Sequence, residues 1–218
     1  MTRNLAVDGK QRMEIGSAFE LDAANELRAR GLRIDRFGQA LLDDDVREVL
    51  RKTNSLLRWL PDLIGWRPSR PRPFLVDAKT CLPGRRTANH SIELRVLLAA
   101  HFTDLPVFFI CDDFRALVAA DVWPDGQIER TCCDRCRQLA LEDPTGRKLP
   151  RHCPEHKARS GRGSGTPYAL IRRGLCRDLA ELFGPRRCVT CDVPADEWEW
   201  DSGHQCPACM EADKQGDN

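Results

Sequence analysis

The sequence predicts an α/β fold, in which a small mixed sheet carries helices on its faces and two cysteine-rich modules are attached. Three observations predict it. Residues 12–31 place apolar side chains at helical spacing, and short apolar runs of strand length follow them. The order after this first helix, β–β–α–β–β, is typical of a mixed sheet covered by helices. From about Arg130 onward, cysteines and basic residues replace the apolar runs.

The elements of the predicted core can be placed along the chain. Gly31 ends the first helix, because glycine readily adopts the left-handed conformation that often follows a helix. The segment 67–73 contains prolines that cannot donate backbone hydrogen bonds, so it is predicted to be a hairpin loop and not a strand. Strands are expected at 32–35, 63–66, 74–79, 106–111, 116–122 and 168–171, and later helices within 43–60, 92–101 and 175–183.

The composition restricts the class of function. With 218 residues, the chain is long enough for one α/β domain of ordinary size and small appendages. Its 34 Lys and Arg residues nearly balance 33 Asp and Glu, and a net charge of +1 excludes a simple polycationic coat for DNA. The basic residues are nevertheless concentrated between Arg130 and Arg162, which favours contact with nucleic-acid phosphates in that region.

The sequence also bears on the compartment. No apolar stretch is long enough to cross a bilayer, and the first residues lack the apolar region of a secretory signal. The protein is therefore expected to be intracellular, in the cytoplasm, with no membrane partner. Eleven cysteines, several of them in Cys-x-x-Cys pairs, indicate zinc in a reducing compartment where disulfides are rare.

Three acidic residues and one lysine carry the candidate chemistry. Side chains alternate along a strand, so Asp77 and Lys79 emerge on one face at the end of an otherwise apolar strand. A hairpin partner that begins at Asp62 brings a second carboxylate beside them. Glu20 interrupts the apolar stripe of the first helix on its core side. Burial of such groups is costly unless they serve a purpose, so the four residues are predicted to form a site.

This combination suits the hydrolysis of phosphodiester bonds. Glu20, Asp62 and Asp77 are expected to hold Mg²⁺ or Mn²⁺, and Lys79 is expected to contact the attacking water. Asp-x-Lys or Pro-Asp alone is an ordinary structural dipeptide pattern. Their order, after a helix with an inward Glu, favours a nuclease.

The order resembles the PD-(D/E)-x-K nuclease superfamily, and within it the archaeal Holliday-junction resolvases. The resemblance covers about residues 12–120 and includes the sequence Gly-Ser-Ala-Phe-Glu at 16–20, Pro61-Asp62 and the strand that ends in Asp77-Ala-Lys79. It implies a restriction-endonuclease-like core with a central mixed sheet flanked by helices, Mg²⁺-dependent DNA cleavage and dimers. By motif match, Glu20, Asp62, Asp77 and Lys79 take the catalytic roles.

Near the C-terminus, two Cys-x-x-Cys pairs predict a zinc ribbon. Each pair lets two thiolates converge on one ion, and four thiolates complete a tetrahedral site. All four positions are protein ligands, so the zinc is expected to be structural. The predicted ligands are Cys188, Cys191, Cys206 and Cys209.

A second structural zinc site is predicted in the basic insertion. Cys133 and Cys136 supply one half, and Cys153 and His156 supply the other. Cys132 can replace Cys133, and His152 competes with Cys153, so these alternatives remain open. The remaining Cys81, Cys111 and Cys176 are expected to be core residues, and His90 is expected to be a cap or turn residue.

The predicted organisation is a nuclease core at 1–129, a zinc-binding basic insertion and linker at 130–163, a return strand and helix of the core at 164–185, and a zinc ribbon and tail at 186–218. The predicted function is Mg²⁺-dependent endonuclease activity on branched DNA in recombination or repair, by a homodimer. One alternative is a nuclease of the same type acting on linear duplex or single-stranded DNA. The other is a zinc-ribbon nucleic-acid-binding protein without catalysis.

Overall fold

The computed structural model describes residues 9–53, 55–79, 89–123, 130–131, 133–155, 165–188, 190–191, 193–195 and 205–216. Within them, the helices are α1 (Gly9–Arg28), α2 (Asp44–Lys52), α3 (Leu94–Phe102), α4 (Asp134–Glu142), α5 (Leu179–Phe183) and α6 (Pro207–Gly216). The strands are β1 (Arg33–Arg36), β2 (Leu63–Arg67), β3 (Arg70–Lys79), β4 (Asn89–Glu93), β5 (Val107–Cys111), β6 (Arg115–Val118), β7 (Arg130–Thr131), β8 (Tyr168–Arg172), β9 (Arg177–Asp178), β10 (Arg186–Arg187) and β11 (Pro194–Ala195).

Six strands form the central sheet, in the order β1-β2-β3-β5-β6-β9. Strands β3 and β5 are parallel, whereas the other neighbours are antiparallel. A parallel pair needs a crossover connection, and α3 lies in the chain between β3 and β5. The expected α/β fold with a central mixed sheet is confirmed.

The alternation of side chains along β3 builds two cores, one on each face of the sheet. Leu75 belongs to the cluster that includes Leu97 of α3 and Phe109 of β5. Val76 points the other way and packs with Leu27 of α1 and Ile110 of β5. Helices therefore cover both faces, and β3 and β5 are buried between them.

The first helix follows its sequence pattern closely. It ends at Arg28, and the chain turns at Gly31, whose φ of 74° is in the left-handed region. Among the described residues, no helix is both long and apolar enough to cross a membrane.

The proline-rich segment differs from its prediction as a loop. Strand β3 begins at Arg70 and includes Pro71 and Pro73, with only Pro68 and Ser69 in the turn. The pairing of β3 with β5 begins at Leu75, so residues 70–73 have β2 as their neighbour on one side only. Proline is tolerated there because an edge position does not require its missing backbone donor.

A second sheet of three strands was not expected. It has the order β4-β8-β7, and β4 leads directly into α3. The predicted strand at 168–171 is present as β8, but it pairs with β4 and β7 and not with the central sheet. Its Ala169 and Ile171 still pack into the core on the α3 face. β4 was missed because its five residues lie directly beside the helical pattern of α3.

Candidate active site and metal centres

The four predicted site residues line one open cleft with a volume of about 920 Å³. Glu20 comes from α1, Asp62 from the turn before β2, and Asp77 and Lys79 from the end of β3. Residues from three separate parts of the chain therefore face the same space. Their catalytic roles remain predictions.

Asp77 and Lys79 are neighbours on one face of β3. Lys79 Nζ lies 2.6 Å from Asp77 Oδ2, and the Asp77 and Lys79 side chains are 6% and 28% exposed. The two residues are separated by Ala78, so the period of the strand places them on the same side. The ion pair holds a carboxylate in an almost dry position at the edge of the cleft.

The turn that carries Asp62 is fixed by backbone contacts. The carbonyl of Asp62 accepts a hydrogen bond of 2.7 Å from the N–H of Phe37. A Cβ on Gly38, which has a φ of +57°, would lie 2.6 Å from the Pro61 carbonyl oxygen. The register pairs Leu63 with Val76, and one step further places Asp62 opposite Asp77. The carboxylate of Asp62, in the turn, is thus brought close to that of Asp77 on β3, whose charge acts on it.

The acidic residues influence one another electrostatically. Burial raises the pKa of Asp62 to about 6, and the negative charges of Asp77 and Glu20 add to this rise while Lys79 opposes it. Burial also raises the pKa of Glu20; Arg36 opposes this rise, and Asp77 adds to it. The negative charges that raise the pKa values of Asp62 and Glu20 form a region of negative potential, which favours a cation.

The carboxylates do not form a closed ligand set. Among the described residues, the groups of three or more metal-binding side chains with donor atoms all within 4.8 Å of one another do not include Glu20, Asp62 and Asp77 together. Asp77 is instead in contact with Lys79. The geometry is that of an acidic cleft in which Asp77 is paired with Lys79.

Basic side chains lie along the same cleft. They come from β1, α2, the short 3-10 helix Leu56–Trp59, the start of α3 and the basic insertion. Of these, only the basic insertion was singled out from the sequence. Several are anchored through the backbone: Arg58 and Arg151 donate to the carbonyls of Arg51 and Lys52 at 3.1 and 2.9 Å. Lining the cleft are Arg36, Arg47, Arg51, Arg58, Arg95 and Arg151.

The predicted ligands of the C-terminal zinc ribbon come together. The sulfurs of Cys188, Cys191, Cys206 and Cys209 lie within 4.8 Å of one another, and the Sγ atoms of Cys191 and Cys206 are 3.7 Å apart. Burial opposes ionisation of Cys188, but hydrogen bonds from the backbone of Cys191, Cys206 and Thr190 lower its pKa to about 6. This cysteine cluster is compatible with a zinc site.

The insertion contains a second cysteine cluster. Cys133, Cys136 and Cys153 have donor atoms within 4.8 Å of one another, and the sulfurs of Cys133 and Cys153 are 3.7 Å apart. Cys133 lies at the start of α4, where its sulfur accepts a hydrogen bond of 3.3 Å from the N–H of Cys136. The predicted fourth ligand His156 and the alternative Cys132 lie outside the described residues. His152 lines the acidic cleft.

A third cluster of potential metal ligands was not predicted from the sequence. His90, Cys111 and Cys176 are buried with donor atoms within 4.8 Å of one another. The two cysteines are core residues, as predicted, but His90 was expected at a cap or turn and lies in β4. No spacing rule signals this group, because its members come from three distant segments.

Fold and site together define a mixed α/β protein with an acidic, arginine-lined cleft and cysteine clusters that can hold zinc. No protein-family model matches the chain, and no curated protein is similar to it. A solved structure of similar fold is Hjc of Archaeoglobus fulgidus, a Holliday junction resolvase from an archaeal hyperthermophile. The match has a TM-score of 0.40 and 12% identity, and covers 78% of this chain and 96% of that one.

Proposed function

We propose that this protein is a divalent-metal-dependent nuclease that hydrolyses phosphodiester bonds of DNA. The supporting observation is that Glu20, Asp62, Asp77 and Lys79 line one cleft. Burial and the neighbouring carboxylates raise the pKa of Asp62, as expected for acids that share a site. Asp-x-Lys with a purely structural role does not require further acids nearby. Here Glu20 and Asp62, from two other elements, line the same cleft.

The donor set fits the proposed cofactor. Carboxylate oxygens are the ligands that Mg²⁺ and Mn²⁺ prefer, and Glu20, Asp62 and Asp77 supply them in the cleft. A bound ion would neutralise the scissile phosphate and act as a Lewis acid. At neutral pH, Asp62 is mostly ionised because its pKa of about 6 is below the pH of the solution.

The other residues have roles that follow from their positions. Lys79 holds its ammonium group at the edge of the cleft, where it can orient the attacking water and stabilise negative charge that develops on the phosphate. The arginines along the cleft would bind the phosphates that flank the scissile bond. A cleft lined by both acids and arginines suits a polyanion whose phosphates contact the arginines and a cation held by the acids.

Within this activity, branched DNA is the proposed substrate class, in recombination or repair. The support is the sequence pattern on α1, from Gly16 to Glu20, which resembles that of junction resolvases. Resolution of a four-way junction needs two symmetric cuts, so a homodimer is proposed. The two structural zinc ions proposed for the cysteine clusters would hold the appended modules in place.

Cleavage assays test the nuclease. The purified protein is incubated with a four-way junction, a linear duplex and a single strand, in Mg²⁺ and in Mn²⁺. We expect cleavage that is lost in Asp77→Asn and retained in Asp104→Asn, an exposed aspartate outside the cleft. Wild-type protein that cuts none of the three substrates with either ion contradicts the proposal and favours a DNA-binding protein without catalysis.

The same panel tests the substrate class. Preference for the junction supports branched DNA, with paired cuts placed symmetrically. Equal rates on the junction and the linear duplex contradict junction resolution while leaving the nuclease intact, and favour the alternative of processing ordinary DNA.

A further inference from the structure

The third cluster lies where the two sheets of the protein meet. His90 is in β4 of the three-stranded sheet, Cys111 is the last residue of β5 in the central sheet, and Cys176 immediately precedes β9. Their exposures are 2%, 0% and 1%, and one donor atom from each lies within 4.8 Å of the others. Three potential metal ligands are thus gathered in a dry position by the tertiary fold.

The spacing of the sulfurs matches that of the two predicted zinc sites. The Sγ atoms of Cys111 and Cys176 are 3.8 Å apart, and the corresponding distances in the other two clusters are 3.7 Å. Two thiolates at tetrahedral positions around zinc, with Zn–S bonds of about 2.3 Å, are separated by about 3.8 Å. The two sulfurs are therefore already separated by the ligand–ligand distance of a tetrahedral zinc site.

His90 supplies an independent observation. Its Nε2 atom is buried and has no hydrogen-bond partner among the described residues. Buried polar atoms in folded proteins are nearly always satisfied, so an orphaned nitrogen on a ring that is grouped with two sulfurs needs an explanation. A metal ion in the cluster provides one.

We propose that His90, Cys111 and Cys176 form a third metal site, which binds zinc or an ion of similar preference. Thiolate and imidazole ligands in combination select zinc among the common cellular cations. Two carboxylates lie beside the histidine of this site, because Asp112 and Asp113 form a second group with His90 within 4.8 Å. Both also contact Arg173 Nη1, at 2.9 and 3.6 Å.

The position of the ion gives it a structural role. Cys111 pairs in register with Lys79, so the ion would bind the end of β5 next to the lysine-bearing end of β3. It would connect β5 with β4 and with the segment before β9, three elements that are distant in sequence. The site lies outside the acidic cleft, and the proposal is independent of the nuclease activity.

Metal content of the full-length protein tests the site. Zinc is measured by elemental analysis and native mass spectrometry in the wild type, in His90→Ala, in Cys176→Ser, and in His101→Ala as an exposed-histidine control. We expect each of the first two variants to lose one ion per chain relative to the wild type and the control to lose none. The test compares the zinc content of each variant with that of the wild type. The result therefore does not depend on how many ions the other clusters hold.

A second measurement tests the site if the His90 and Cys176 variants do not fold. The metal-free wild-type chain is titrated with Co²⁺ alone, and the ions bound are counted in Cys209→Ser as well, which removes one ligand of the C-terminal cluster. We expect one cobalt beyond the ions held by the other two clusters. The proposal is overturned if His90→Ala folds and keeps the wild-type zinc content, if no ion binds beyond those clusters, or if Cys111 and Cys176 are joined by a disulfide in protein purified under reducing conditions.

Discussion

Lys79 Nζ lies 2.6 Å from Oδ2 of Asp77, two positions earlier on the same strand, and the aspartate of this pair is nearly inaccessible to water. An aspartate in that position needs a positive partner, because a buried and unpaired charge is strongly unfavourable. In the proposed nuclease, the lysine and the metal ion serve this purpose together. A substitution in this ion pair should therefore change both the free energy of unfolding and the rate of cleavage.

Replacement of the lysine is the first test. In Lys79→Ala, we expect cleavage to fall by about 100-fold or more, because one stabiliser of the transition-state charge is removed. The free energy of unfolding without divalent cation is expected to fall by about 1–3 kcal/mol, since Asp77 loses its partner. Cleavage kinetics and urea denaturation measure the two effects.

Lys52→Ala is the matched control, because that lysine is 74% exposed on α2. It should leave cleavage and stability close to the wild-type values. A Lys79→Ala protein that cleaves as fast as the wild type would remove the lysine from the proposed mechanism.

The raised pKa of Asp62 predicts a dependence on pH. The pKa is about 6 in the folded chain, against about 3.9 for an aspartate in an unfolded chain, so the folded state binds the proton more tightly between these values. The contribution of this group to stability is therefore complete below about pH 4 and is lost as the pH rises through 6. Urea denaturation from pH 4 to 7 measures it, with Asp62→Asn expected to reduce this fall in stability.

Metal binding should respond in the opposite direction. Below pH 6, a proton competes with the cation for Asp62, so the apparent Mn²⁺ affinity should fall by about tenfold for each further pH unit. Calorimetric titration at pH 5 and pH 7.5 measures this change. An affinity that is the same at both values would mean that Asp62 is not a ligand.

Gly38 tests the geometry of the turn that carries Asp62. A Cβ at this position would lie 2.6 Å from the Pro61 carbonyl oxygen, and the φ of +57° is unfavourable for alanine. We expect Gly38→Ala to lower the free energy of unfolding by about 1–3 kcal/mol and to slow cleavage by displacing Asp62. Gly174→Ala is the control, because no atom of the described residues lies within 4 Å of its added Cβ and its φ is not positive.

Arg36 tests the arginines along the cleft. It lies on β1, is exposed, and lowers the pKa of Glu20 against the larger effect of burial. In an Asp77→Asn background that cannot cleave, Arg36→Ala should weaken DNA binding and reduce the slope of log K against log salt by about 0.9. Arg33→Ala, from the same strand but outside the cleft, should change neither. Equal effects of the two substitutions would argue against phosphate binding in the cleft.

The C-terminal cysteine cluster tests the role of zinc. The cluster is attached to α1 through the ion pair of Arg186 with Glu26, at 2.7 Å. In Cys209→Ser, we expect the loss of one zinc ion and faster amide exchange in α6 and the β10–β11 pair, because zinc supplies much of the folding free energy of such a small module. Exchange in β3 and β5 should remain slow. Unchanged exchange in α6 would show that the module folds without metal.

Local sequence patterns were sufficient to bring the four candidate residues together in one cleft. The period of a strand places Asp77 and Lys79 on one face, and helical spacing turns Glu20 toward the sheet, so the convergence in one cleft was predictable. The C-terminal cysteine cluster was predictable for the same reason, because each Cys-x-x-Cys pair is a local unit. The mixed sheet followed from the order of the apolar runs.

Tertiary structure alone decided the features that depend on long-range pairing. The prolines of β3 are accommodated because their stretch of the strand has a single neighbour, and β8 joins β4 instead of the central sheet. The arginines along the cleft and the group of His90, Cys111 and Cys176 come from segments far apart in the chain. Sequence periodicity records which face of its own element a residue occupies, whereas the neighbour across that face is chosen by the packing of the whole core.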